Sequence, residues 1–311
     1  MRAEVIGTCG QGQIVRAIIN VRPLSKWKPK SAVQVHRRQG RSRRDFAHTW
    51  ETGVHETATR SLKSLPRGEW MKISFESVYD FRGWGKGPRF LADLVEKYRC
   101  QRILEVGSGA NPTLDPDYVR RTGLQYVTSD LDEGELAKAD PAFERLVIDL
   151  SSEVPAEMVG SFDCVFSRMT GEHIRDGGKY HKNIYSVLRP GGISVHCFST
   201  LWTLPFAVNY LLPDGLTQVI LNLFNPREDA HQHGKFKAYY SWSRGPTKTM
   251  IKRFQSLGFE IVEYIGCFGH PYYSKRLPWL DSLERKKSAY LLKHPIPQLC
   301  SYSTIILRKP E

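Results

Sequence analysis

Apolar positions recur with two periods between residues 88 and 311, and their alternation dictates an α/β chain. Phe90, Leu91, Leu94, Val95 and Tyr98 follow helical spacing, and 103–106 is an apolar run of the length of a buried strand. Similar runs predict strands at 126–129, 146–148 and 163–166. Tyr180, Ile184, Val187 and Leu188 mark a helix. It should stop at Arg189-Pro190-Gly191-Gly192, because proline lacks an amide and glycine frees the backbone, ahead of a strand at 193–198. Met250, Ile251, Phe254 and Leu257 make a helix ending at Gly258, and two last strands follow at 259–265 and 301–307. Seven strands interleaved with helices imply a mostly parallel sheet covered on both faces.

Two late segments do not belong to that alternation. Residues 201–245 predict two apolar helices separated by Pro213-Asp214, followed by a polar, aromatic loop; residues 267–297 hold a Pro- and Tyr-rich stretch and a short basic helix. Both fall where such a fold builds a cover over its substrate. Residues 1–70 lack sustained periodicity and carry Arg-rich clusters, so we expect a basic, disordered extension ahead of a domain over 71–311.

Charge sharpens this division. Of the formal charge of +13, residues 1–70 carry +9, from 14 Lys and Arg against 5 Asp and Glu. The domain holds 31 against 27, too even a balance to demand a nucleic-acid partner. The 6 cysteines are dispersed with no CxxC pair, which suits reduced thiols in the cytoplasm and argues against structural zinc. The most apolar run, from Leu201, is interrupted by Thr203, Pro205 and Asn209, so we expect peripheral membrane contact at most and no span.

The chemistry concentrates in residues 102–111, RILEVGSGAN, a strand ending in an acid and a glycine-rich turn, with Asp130 closing the next strand. Such a turn lets backbone amides approach an adenosine-containing cofactor, and a carboxylate about 20 residues on accepts ribose hydroxyls. A pyrophosphate would need a glycine where this chain has Pro112. Together with Asp130 in YVTSDLD, Asp149 in VIDLSSEVP, SFDCVFSRMTGEHI and LRPGG, this turn resembles class I S-adenosylmethionine-dependent methyltransferases, over about residues 85–265. The resemblance implies a Rossmann-like fold and S-adenosylmethionine as cofactor. It assigns cofactor binding to Glu105, Gly107, Ser108, Gly109, Asn111, Asp130, Asp149, Leu150 and Ser167. Asp130 would take the ribose diol, and Asp149 would lie beside the adenine amino group.

The acceptor is less constrained. The Asn/Asp-Pro-Pro-Tyr tetrapeptide of relatives that methylate nucleobase amines is missing after the fourth strand. His173 is a candidate base, since imidazole titrates near neutrality, with a scaffold role for Glu172-His173 as the competing reading. His231, His233, Tyr239, Tyr240 and Arg244 interleave rings with cations, which suits a polyhydroxylated or anionic acceptor, and His270 would form a far wall. No metal site is expected, and Phe81 and Trp84 are candidates for a lid. The leading expectation is O-methylation of a small molecule, sugar or lipid-linked glycan. A non-catalytic partner subunit and an RNA methyltransferase steered by the basic extension stay open as alternatives.

Overall fold

The computed structural model describes residues 2–9, 13–20, 71–201, 237–271 and 278–311. The chain divides into two compact units, 1–61 and 62–311. In the first, strands β1 (Arg2–Cys9) and β2 (Gln13–Asn20) pair antiparallel, a hairpin in a stretch to which sequence periodicity assigned no element. The remainder of the basic segment lies outside the described residues, as do the apolar helices expected within 202–236.

The second unit runs β3 (Lys72–Ser77), α1 (Gly87–Tyr98), β4 (Arg102–Val106), α2 (Pro116–Thr122), β5 (Gln125–Asp130), α3 (Glu133–Ala137), β6 (Glu144–Val147), β7 (Phe162–Arg168), α4 (Gly177–Val187), β8 (Leu188–Ser199), α5 (Lys248–Ser256), β9 (Glu260–Phe268), α6 (Pro278–Lys293) and β10 (Tyr302–Arg308). The strands form one sheet in the order β3-β9-β10-β8-β7-β4-β5-β6. Every pair is parallel except those made by β10, which slots antiparallel between β8 and β9. The sheet thus has eight strands against the seven expected, the addition being β3 at its edge.

Period-two alternation sends each strand's side chains to opposite faces. Ile103 of β4 joins Cys164, Val195 and Ile265 under Leu91, Leu94 and Val95 of α1. Leu104 and Val106 join Val165, Tyr264 and Ile305 under Tyr180 and Ile184 of α4 and Met250 and Phe254 of α5. Helix starts are capped by side chains that accept otherwise unpaired amides: Asp115 for α2, Asp132 for α3, Asp176 for α4 and Thr247 for α5. At the carboxyl end of α4 the expectation needs correction. Strand β8 begins at Leu188, so the Arg-Pro-Gly-Gly stretch lies inside it, and a register shift between Phe162 and Cys164 on β7 absorbs the irregular backbone.

Strand order reverses beside β4, with β5 and β6 on one side and β7 and β8 on the other. The loops after β4 and β7 therefore part at the carboxyl edge, leaving the crevice in which open α/β sheets bind ligands.

Candidate active site

The turn after β4 is built by two glycines in the left-handed region, Gly107 at φ 71° and Gly109 at φ 50°. The amides of Gly107 and Ser108 donate to the Ser129 carbonyl at 2.8 and 3.2 Å, and the Asn111 amide donates to the Ser108 carbonyl at 2.9 Å. Ser108 Oγ also pairs with Thr128 Oγ1, tying the turn to β5. Both glycines are required by φ, and Gly107 by space as well. A Cβ on Gly107 would lie 2.5 Å from Thr170 Oγ1, and one on Gly109 would lie 3.4 Å from Asp130 Oδ2.

That second distance places the carboxylate closing β5 against the turn. Asp130 Oδ1 accepts from the amides of Leu131 (2.7 Å) and Asp132 (3.2 Å), while Oδ2 faces Gly109. The Ile148 amide donates to the Asp130 carbonyl, so Asp149 leaves the same edge one strand further on. Burial alone would raise the pKa of Asp149, but hydrogen bonds from the Ser151 amide and the Ser152 hydroxyl win and hold it below the usual value. Beside these acids two apolar side chains stand in solvent, Leu131 at 70% and Val147 at 54% exposure.

Three expected cofactor residues turn inward instead, because their partners lie on neighbouring strands and loops. Glu105 is 1% exposed, and its carboxylate accepts from the Thr113 amide (2.8 Å), Thr113 Oγ1 (2.5 Å) and the Tyr126 hydroxyl (2.5 Å). Burial pushes its pKa up against those bonds. It clamps the far end of the glycine turn to the sheet. Ser167 is buried, with Oγ 2.7 Å from His196 Nδ1, and the Leu150 side chain sits in the core while its carbonyl accepts from Asn183. Asn111 is exposed, and its carbonyl accepts from Arg168 Nη2 at 3.3 Å, which ties the loop after β4 to the end of β7.

On the acceptor side, Glu172 is a fastener. Its Oε1 accepts from Ser199 N (3.3 Å) and Oγ (2.8 Å), and its carbonyl accepts from the amides of Tyr239 and Tyr240. His173 is partly exposed, with Nδ1 3.1 Å from the Lys237 carbonyl. A bond to a carbonyl requires the proton on Nδ1, which makes Nε2 the basic nitrogen of the neutral ring. Tyr239 lies under the Lys237 ammonium. Tyr240 is buried at φ 49°, and burial pushes its phenol up to about 12. Arg244 donates to the Ser243 carbonyl, and its own carbonyl accepts from the Tyr264 hydroxyl at 2.6 Å. Burial lowers His270 to about 4, and its ring is 6.1 Å from that of Tyr302. His231 and His233 lie outside the described residues.

Tyr302, Phe81 and Trp84 pack ring on ring at 4.9–5.2 Å. Phe81, at 1% exposure, is core, so the lid expected of it is not formed. Sequence reading passed over Tyr302 and Thr170. Tyr302 looked like one more strand residue, and Thr170 meets Gly107 only once β4 and β7 lie side by side.

Residues 104–196 match the family model described as a methyltransferase domain. No curated protein matches the sequence. Among solved structures, the chain is similar to phosphoethanolamine N-methyltransferase 2 of Haemonchus contortus in complex with S-adenosyl-L-methionine, at 20% identity and a TM-score of 0.45, covering 73% of this chain and 53% of that one. It is also similar to the CMeT domain of the citrinin polyketide synthase, at 18% identity and a TM-score of 0.45, covering 73% and 52%. A third is an S-adenosylmethionine-dependent methyltransferase from Mesorhizobium loti, at 18% identity and a TM-score of 0.39, covering 67% and 90%. The chain spans about half the length of the first two. Residues 104–196 belong to the class I S-adenosylmethionine-dependent methyltransferase family.

Proposed function

We propose that the domain over 71–311 transfers a methyl group from S-adenosylmethionine to a hydroxyl of a small-molecule, sugar or lipid-linked acceptor. One juxtaposition carries the reading: the Asp130 carboxylate lies against the left-handed Gly109. A cofactor with no phosphate fits there, because a turn closed by Ser108, Thr128 and Pro112 offers backbone and a ribose-binding acid but no phosphate cradle. In this reading the Gly107–Gly109 backbone holds the amino-acid end and Asp130 the ribose diol. Asp149, with exposed Leu131 and Val147, meets the purine. The cofactor supplies a methyl group already activated on a sulfonium. The chain's own work is to orient the acceptor, exclude water and remove a proton. His173 Nε2 is the base this reading assigns, held by the Lys237 carbonyl, with Tyr239, Arg244 and His270 among the acceptor's surroundings.

Other features support the setting. Trp279, Leu283 and Tyr290 form an exposed stripe on α6 at helical spacing, consistent with contact at a membrane surface, and among the described residues no helix is long and apolar enough to cross one. Five buried cysteines are unpaired, in keeping with a reducing, cytoplasmic setting.

Calorimetry of S-adenosylmethionine binding tests the proposal. Wild-type protein should bind, and Asp130→Ala should weaken binding by about tenfold or more, the loss of a charge-assisted pair of hydrogen bonds. No binding by wild type ends the reading. Binding without transfer of labelled methyl to any component of a cell extract identifies a non-catalytic partner subunit instead.

A further inference from the structure

A cavity of about 350 Å³ opens between the loop entering α5, the first turns of that helix and the segment ahead of β10. Ser241, Arg244, Thr247, Thr249, Arg253 and Gln298 supply its polar lining, and no Asp or Glu is among the described residues that line it. Two arginines, three hydroxyl-bearing residues and a glutamine thus border one small volume. None of them belongs to the cofactor turn or to the acids at the ends of β5 and β6.

The walls are fixed before any ligand arrives. The main chain at Arg244 is held by the Tyr264 hydroxyl, and Gly245 packs so tightly on the Pro297 carbonyl that a Cβ would overlap it. Arg253 lies over the Trp242 ring at 5.7 Å with Nη1 3.4 Å from the Ser241 carbonyl, and has no carboxylate partner among the described residues. Thr247 Oγ1 accepts from the Met250 amide, which turns its hydroxyl proton toward other acceptors. The positive end of α5 adds to this field but does not create it.

We propose that this cavity binds a tetrahedral oxyanion of the phosphate class. Arginine forks match such groups with paired hydrogen bonds, and hydroxyls complete the shell from other directions. The volume is at the lower end for small-molecule pockets, so it takes the oxyanion together with part of whatever bears it. Resting on the methyl-transfer reading, the bearer is the acceptor, and the cavity is the subsite for its phosphate.

The test is calorimetric titration of the full chain, without S-adenosylmethionine, at fixed ionic strength. The probes are inorganic phosphate, glycerol phosphate and glycerol. Inorganic phosphate should bind saturably, and Arg253→Gln, an exposed position on α5, should weaken it about tenfold or more. Arg121→Gln on α2 should leave it unchanged. Thr249→Val, also exposed, should weaken it without altering the fold. Glycerol phosphate binding more tightly than inorganic phosphate, with glycerol silent, assigns the site to a phosphate-bearing acceptor. Equal or weaker binding overturns that assignment and leaves the free ion as ligand. Absent saturation, or equal affinity in Arg253→Gln at an unchanged thermal midpoint, overturns the site itself. Because the cofactor is left out, these results stand or fall separately from those on Asp130.

Discussion

Gly107 sets the finest constraint in the crevice, because two independent costs meet at one position. At φ 71° any other residue is strained, and a new Cβ would also run into the Thr170 hydroxyl at 2.5 Å. Gly107→Ala should therefore lower stability by about 1–3 kcal/mol and displace the loop after β7. Adding Thr170→Ala removes the steric part and leaves the backbone strain. In chemical denaturation the double variant should recover part of the loss. Full recovery would show that φ costs nothing there, and no recovery would show that Thr170 is not the obstacle. Asp130 differs in kind, since its carboxylate is held by its own following amides and its replacement should change binding rather than folding.

At the scale of elements, the turn after β7 joins three parts of the acceptor side. Glu172 fastens the end of β8 through Ser199 and the loop at Tyr239 and Tyr240 through its carbonyl. Its carboxyl is buried and its pKa is raised by desolvation, so the stability linked to it is full at low pH and is lost as pH rises through the folded value. Glu172→Gln retains an acceptor for Ser199 and cannot ionise. It should match wild type near pH 4 and exceed it near pH 9 in urea unfolding, whereas Glu172→Ala, leaving Ser199 unpaired, should cost about 1–3 kcal/mol at both. A wild-type advantage at pH 9 would sink the argument. Such fasteners are hard to read from sequence, because a strand acid becomes a brace or a ligand according to its neighbours. The positions of Asp130 and Asp149 at the sheet edge were legible because each closes an apolar run downstream of a glycine turn. The side-chain partners of Glu105 and Ser167, Tyr126 and His196, lie 21 and 29 residues away, so the braces they form carry no local signal in the sequence. Helix α1 announced itself by its helical spacing, and β4 and β7 by their apolar runs. Strand β3 did not, since KISFES alternates weakly at the sheet edge, with no residue fully buried.

Over the whole molecule, the two helix-covered faces of the sheet differ in how they respond to acid. Under α4 and α5 the core holds His181 and His196, 5% and 1% exposed, with ring centroids 4.9 Å apart, packed among Tyr180, Trp242 and Phe254. Burial lowers both pKa values, that of His196 to about 3. The unfolded chain binds these protons near pH 6.5 and the folded chain does not, so stability falls as pH drops through that value and continues to fall until the folded pKa is reached. Between pH 7 and pH 5 His196 alone should cost about 2 kcal/mol. Glu105 and Glu172, with raised values, act with the opposite sign, while the lowered carboxyl of Asp149 matters only below about pH 4. A variant isolates the histidine contribution from these. His196→Asn keeps a polar partner for Ser167 but cannot take up a proton, so its urea midpoint should depend less steeply on pH between 7 and 5 than that of wild type. Equal slopes in the two proteins would mean that His196 is reached by solvent and titrates as it does in the unfolded chain, and the close packing that shields it on this face would not hold in solution.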